Sequence, residues 1–226
     1  MTLRNNIDGV SIPGYSKKQE TFNAISHFIG ALFAIFICGF GIYLFINEYI
    51  SLLLLIGFFV FGVSALAVYL VSSCYHIINR HSPKKKVLRI LDHCTIYLLI
   101  AGTYTPICFS FFRANSPIAF GIFMFTFEWV GVIAGYILNA FFFQNKIARV
   151  VSFILYVLMG WLAVICGASF FIQLNTFLYI LIGGIIYTIG SILYAFGHEW
   201  KWCHCIFHVF VLAGTIVQAI GIFLLR

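Results

Sequence analysis

Polar residues interrupt this chain so rarely that it reads as a series of long apolar stretches joined by short breaks. A membrane-spanning helix needs about 20 consecutive, mostly apolar residues. Seven stretches meet that length, at roughly 22–46, 51–78, 87–111, 117–140, 147–171, 175–198 and 203–225. Runs such as Leu52-Leu53-Leu54-Leu55-Ile56-Gly57-Phe58-Phe59 do not alternate as the strands of a membrane barrel do, so helices are expected. Soluble domains carry about 25% charged residues. Here 8% are charged and 63% hydrophobic, which excludes that class. The expectation is an all-α polytopic membrane protein, with residues 1–21 a short cytoplasmic segment and residues 22–226 one domain of seven transmembrane helices. The first apolar run is longer than the core of a signal peptide, about 7–15 residues, and is read as a retained helix.

The formal net charge of +7 invites a nucleic-acid reading, but its distribution argues against one. With the amino terminus inside, Arg4, Lys17, Lys18, Arg80, Lys84, Lys85, Lys86, Arg89, Lys146, Arg149 and Lys201 fall on the cytoplasmic side, and only Arg113 and Arg226 fall outside. That asymmetry is the positive-inside pattern. It places the amino terminus in the cytoplasm and the carboxyl terminus outside, with a secondary attraction to anionic headgroups.

The same topology brings His76, Asp92, His204 and His208 to one membrane face. Polar groups at such positions are costly and point to function. His204 and His208 are four residues apart, on one face of a helix with Cβ atoms about 5–6 Å apart, a spacing that suits two ligands of one metal. Helical histidines also ligate haem iron. Ser72 and His76 repeat the spacing at the end of the second span, and Asp92 is expected to open the third just after a basic loop. Three histidines and a carboxylate at one depth are the usual protein contribution to a mononuclear site with one open position.

The segments Glu20-Thr21-Phe22-Asn23-Ala24-Ile25-Ser26-His27, Ser72-Ser73-Cys74-Tyr75-His76, Leu91-Asp92-His93 followed by Ile96 to Pro106, and His204-Cys205-Ile206-Phe207-His208 resemble, in kind and order, the haemolysin III family. That bacterial-type family belongs with the progestin and adipoQ receptors and, more distantly, the alkaline ceramidases. The resemblance covers about residues 17–225. It implies a seven-helix bundle, Zn²⁺ held by His76, His204 and His208, Asp92 contacting the zinc-bound water, and Ser72 close by. It further implies hydrolysis of a lipid amide or ester, with Asp92 and Ser72 in catalytic roles and a membrane lipid as partner. The family's name carries a cytolytic alternative, and its eukaryotic relatives a receptor or sensor. The compact form looks bacterial, which places the chain in the plasma membrane.

Glu20, Asn23 and His27 share one face of the first helix and are read as a second shell or a membrane-edge network. His81, His93 and His198 read as interfacial anchors. The seven cysteines read as free thiols packed as small apolar groups; Cys203 and Cys205 flank His204 and leave a thiolate ligand open, although they point away from the His204/His208 face. Glu128, near the middle of the fourth span, is expected to be protonated or paired. Pro106 is expected to kink the third span. Gly131 and Gly135 form a G-x-x-x-G pair, compatible with a homodimer or with packing inside the bundle.

Overall fold

A computed structural model describes residues 3–112, 117–168, 172–196 and 200–225. Arg113, His198 and Arg226 lie outside these residues. The described chain is helical and contains no strand: α1 Leu3–Asp8, α2 Lys17–Ile46, α3 Leu52–Ile77, α4 Pro83–Ser110, α5 Ile118–Phe142, α6 Lys146–Gly160, α7 Leu162–Ile165, α8 Leu174–Phe196 and α9 Trp202–Phe223. Six of these, α2, α3, α4, α5, α8 and α9, are long and apolar enough to cross a membrane.

Two helices begin earlier than the hydropathy pattern indicates, each for a local reason. At α2, the Ser16 hydroxyl accepts from the Gln19 N–H while the Gln19 side chain accepts from the Ser16 N–H. This reciprocal capping starts the helix at Lys17. The 30 residues of α2 then extend about 45 Å, more than the ~30 Å hydrocarbon core, so its polar first turns reach the membrane edge. At α4, Pro83 occupies the first turn, where its missing N–H costs nothing. Lys84, Lys85 and Lys86 are therefore helical and not a loop, and Asp92 sits in the third turn of α4 instead of opening it.

The fifth expected span corresponds to two pieces, α6 of 15 residues and α7 of 4, parted at Trp161. The Tyr104 hydroxyl of α4 donates to the Gly160 carbonyl at 3.0 Å and accepts the Ala163 N–H at 3.1 Å, while the Val164 N–H bonds to Trp161 O. A side chain inserted into the i→i−4 ladder breaks a helix in this way. Gly167, with φ at 69°, lies just beyond α7, a left-handed position that glycine tolerates.

The helices pack in chain order from α2 to α6, α8 packs on α9, and α9 closes back against α2 and α4. Close approaches use glycine: a Cβ on Gly57 would stand 2.8 Å from the Cα of Pro106, and one on Gly30 would meet the Tyr69 ring. Gly131 and Gly135 face Met159 of α6 and the Tyr97 ring of α4, so this pair is used inside the bundle. Ile25, Leu32 and Ile35 leave more than half of their surface open along the outer face of α2. So broad an apolar exterior is the surface of a protein solvated by lipid.

Candidate metal centre

His76 lies in the last turn of α3, and His204 and His208 lie on the first two turns of α9, so the packing of α9 against its neighbours brings the three rings together. The Nε2 atoms of His76 and His204 are 3.3 Å apart, those of His204 and His208 are 3.1 Å apart, and the ligand atoms of all three lie within 4.8 Å of one another. Tetrahedral coordination at the usual zinc–nitrogen length of about 2.0–2.1 Å would separate two ligands by about 3.3–3.4 Å. Three converging lone pairs at this spacing fit a metal ion, and this is the group among the described residues that could hold one.

Glu20 fixes the orientation of the first ring. Its Oε2 accepts from His76 Nδ1 at 2.5 Å, which leaves the Nε2 lone pair to face the centre. Its Oε1 accepts from Lys85 Nζ at 2.7 Å, and the same ammonium donates to the Ile78 carbonyl and sits over the Tyr75 ring. Lys85 is 1% exposed, so a residue counted in the sequence as a topology signal is a buried partner of the centre. His27 stacks on His208 with ring centroids 3.7 Å apart and meets Tyr69 edge-on. Asn23 is fully buried beside Cys205 and His208. The expected face of α2 is thus assembled against the histidines, with Glu20 the residue that bonds to one of them.

Asp92 of α4 comes to Ser72 and within electrostatic reach of His76 and Arg89. The Ser72 hydroxyl is buried beside this carboxylate. Cys203 and Cys205 are buried in α9 outside the three-histidine group. His93 packs edge-on against Phe143 and is outside the three-histidine group, and His81 is exposed.

Hydropathy gives no sign of a further wall. The Tyr15 ring lies parallel to His204, 10° from coplanar with centroids 4.9 Å apart, and Tyr194 approaches the same imidazole. Burial, then Tyr194 and Tyr75, push the Tyr15 phenol well above its ordinary value, so it stays protonated. On the outer side, a groove of about 400 Å³ lies between α2 and α3, lined by Lys17, Glu20, Thr21, Ser73 and His76 as well as by Ala24, Ile25, Phe28 and Ile77.

The family model described as "Haemolysin-III related" matches residues 15–219. The chain is 35% identical over 206 residues to "Hemolysin-3 homolog" of Bacillus subtilis (strain 168), covering 89% of this chain and 91% of that protein. Against "Hemolysin-3" of Bacillus cereus the identity is 36% over 206 residues, with 89% of each chain covered. Human "Monocyte to macrophage differentiation factor" is 29% identical over 168 residues, 70% of this chain and 66% of that protein.

Proposed function

The chain belongs to the Haemolysin-III related family of multi-pass membrane proteins, and from that premise we propose that it is a zinc-dependent hydrolase cleaving a lipid amide or ester at the cytoplasmic leaflet of the plasma membrane. The proposal includes seven spans, with α6 and α7 together as the fifth, a cytoplasmic amino terminus and an external carboxyl terminus. The observation that carries it is the convergence of three imidazole Nε2 atoms with a carboxylate on the far nitrogen of one ring.

Bound there, Zn²⁺ supplies Lewis acidity toward a carbonyl oxygen and toward water. His76, His204 and His208 would hold it, and Glu20 Oε2 keeps His76 in the ligating tautomer. The Asp92 carboxylate would accept a proton from the attacking water and return it to the departing amine or alcohol as the C–N or C–O bond breaks. The Ser72 Oγ–H, held beside Asp92, would donate to the carbonyl oxygen of the substrate as negative charge develops there. A lipid is favoured as substrate because the groove beside His76 and Glu20 is bordered by Ile25, Phe28 and Ile77, which leave more than half of their surface open on the apolar exterior of the bundle.

The names of the two Bacillus relatives favour a second reading, membrane lysis. One experiment separates the two: fatty-acid release from N-acyl and O-acyl lipids, run beside dye leakage from liposomes. The hydrolase reading expects release by the parent and a loss of about 10²–10⁴-fold in Asp92→Asn, the usual range for a removed general base, with metal retained. Leakage that persists in Asp92→Asn, with no release by the parent from any lipid, would establish the lytic reading instead.

A further inference from the structure

The amino-terminal segment does not hang free of the bundle. The Asn6 side chain of α1 donates to the Asn139 and Ala140 carbonyls of α5, and Gln144 returns a bond to the Asn6 carbonyl. Val10 is buried with Ile90, Cys94 and Phe143. Between α1 and α2 the chain then crosses the basic end of the bundle, and four cations grip its main-chain carbonyls in succession: Lys86 on Asp8, Arg89 on Ser11, Arg80 on Ile12 and Lys201 on Gly14. These cations come from three places, the α3–α4 connection, α4 and the α8–α9 connection. The next residue is Tyr15, stacked on His204, and the one after it is Ser16, the cap that starts α2. One turn further on, Glu20 holds His76. The strap and the orientation of the first histidine are therefore anchored in the same helix start.

We propose that residues 10–16 are a latched cover of the histidine centre, with Tyr15 the positioning residue that closes it toward the aqueous phase, so that the centre exchanges slowly with water-borne solutes and takes its substrate from the membrane. The latch grips carbonyls and not side chains, so it holds the path of the strap whatever its sequence, and Tyr15 is the side chain that meets the centre. Charge-assisted bonds of this kind are stronger than neutral ones but are partly exposed here, which suits a cover that opens more readily than the bundle unfolds. The proposal deepens the hydrolase reading, and it rests on metal binding in one of its two tests only.

The first test needs no metal. In a full-length chain with its native cysteines replaced, Tyr15→Cys is labelled in detergent with a membrane-impermeant maleimide, using Lys18→Cys on the exposed turn beside it as control. The thiol at position 15 should react about tenfold more slowly than the thiol at position 18, and adding Arg80→Gln, Arg89→Gln and Lys201→Gln should bring it to within about twofold, as expected when a locally opened state becomes dominant. Equal rates for positions 15 and 18 without the latch changes would overturn the cover.

The second test follows metal release to an excess of chelator. Tyr15→Ala should lose metal about tenfold faster than the parent, and Tyr15→Phe, which keeps the ring, should match the parent. Identical release from Tyr15→Ala and parent would overturn the role of Tyr15. A parent that holds no metal would sink the hydrolase reading, while the labelling comparison would still decide the cover.

Discussion

At the basic end of the bundle, His76 and His208 are 3% and 1% exposed, and Glu128 in the body of α5 is buried just as deeply at 1%. Burial does not distinguish the two regions; convergence does. Around His76, side chains from α2, α3, α4 and α9 meet at hydrogen-bonding distance, and a carboxylate, an ammonium and three rings each face a partner. Around Glu128, neither carboxyl oxygen has a hydrogen-bond partner among the described residues. A costly polar group in a membrane protein marks a site when other elements are shaped to meet it, and burial alone is a weak guide to chemistry.

Substitutions can break or sharpen that contrast. The largest effect is expected at the histidines. His208→Ala should leave almost no bound metal, read by elemental analysis of the purified protein, because two protein ligands do not hold zinc as three do. It should also lower thermal stability, since a ligand at 100–1,000 times its Kd stabilises the folded state by about 2.7–4.1 kcal/mol. Metal content unchanged from the parent in the alanine variants of His76, His204 and His208 would dissolve the contrast altogether. Next comes Glu20→Gln, expected to weaken metal affinity about 10–100-fold in a competition titration, the usual cost of losing a carboxylate behind a ligating histidine. Lys85→Met should follow, with a stability loss of about 1–2 kcal/mol in thermal unfolding, reduced from the fully buried case because the Glu20 side chain is 17% exposed. Smallest is Glu128→Gln, which removes no hydrogen bond seen among the described residues and keeps the shape of the side chain. Its stability should stay within about 1 kcal/mol and its metal content should not change. Loss of metal or activity in Glu128→Gln would show that the two regions are coupled.

The histidine trio is legible in the sequence because each signal is local: an i,i+4 pair on α9, a histidine closing α3, and a charge bias that puts both helix ends on one side. Glu20 is legible as part of a face of α2 shared with Asn23 and His27, but its bond to His76 joins residues 56 apart and no periodicity announces it. Lys85 misleads for a related reason. A lysine in a basic run reads as solvated, and only the early start of α4 at Pro83 turns it inward. The S-x-x-Q cap at Ser16 is present in the sequence and outweighed by hydropathy, which responds to apolar length and not to capping. Tyr15 carries no apolar or charge pattern at all; its position is set by cations elsewhere in the chain that bind its neighbours' carbonyls. The break at Trp161 is equally silent, being caused by a hydroxyl from another helix.

That hydroxyl bears on how the protein is made. Within hydrocarbon there is no water to take up a carbonyl and an N–H left without partners, and each such group costs several kcal/mol. In the seven-span reading proposed above, residues 146–165 are not a self-sufficient membrane helix and are completed by Tyr104. Because α4 precedes them in the chain, the completing group has already been synthesised when they emerge. In that reading the order of residues doubles as an order of assembly, with α4 serving as a template for the segment that arrives two elements later.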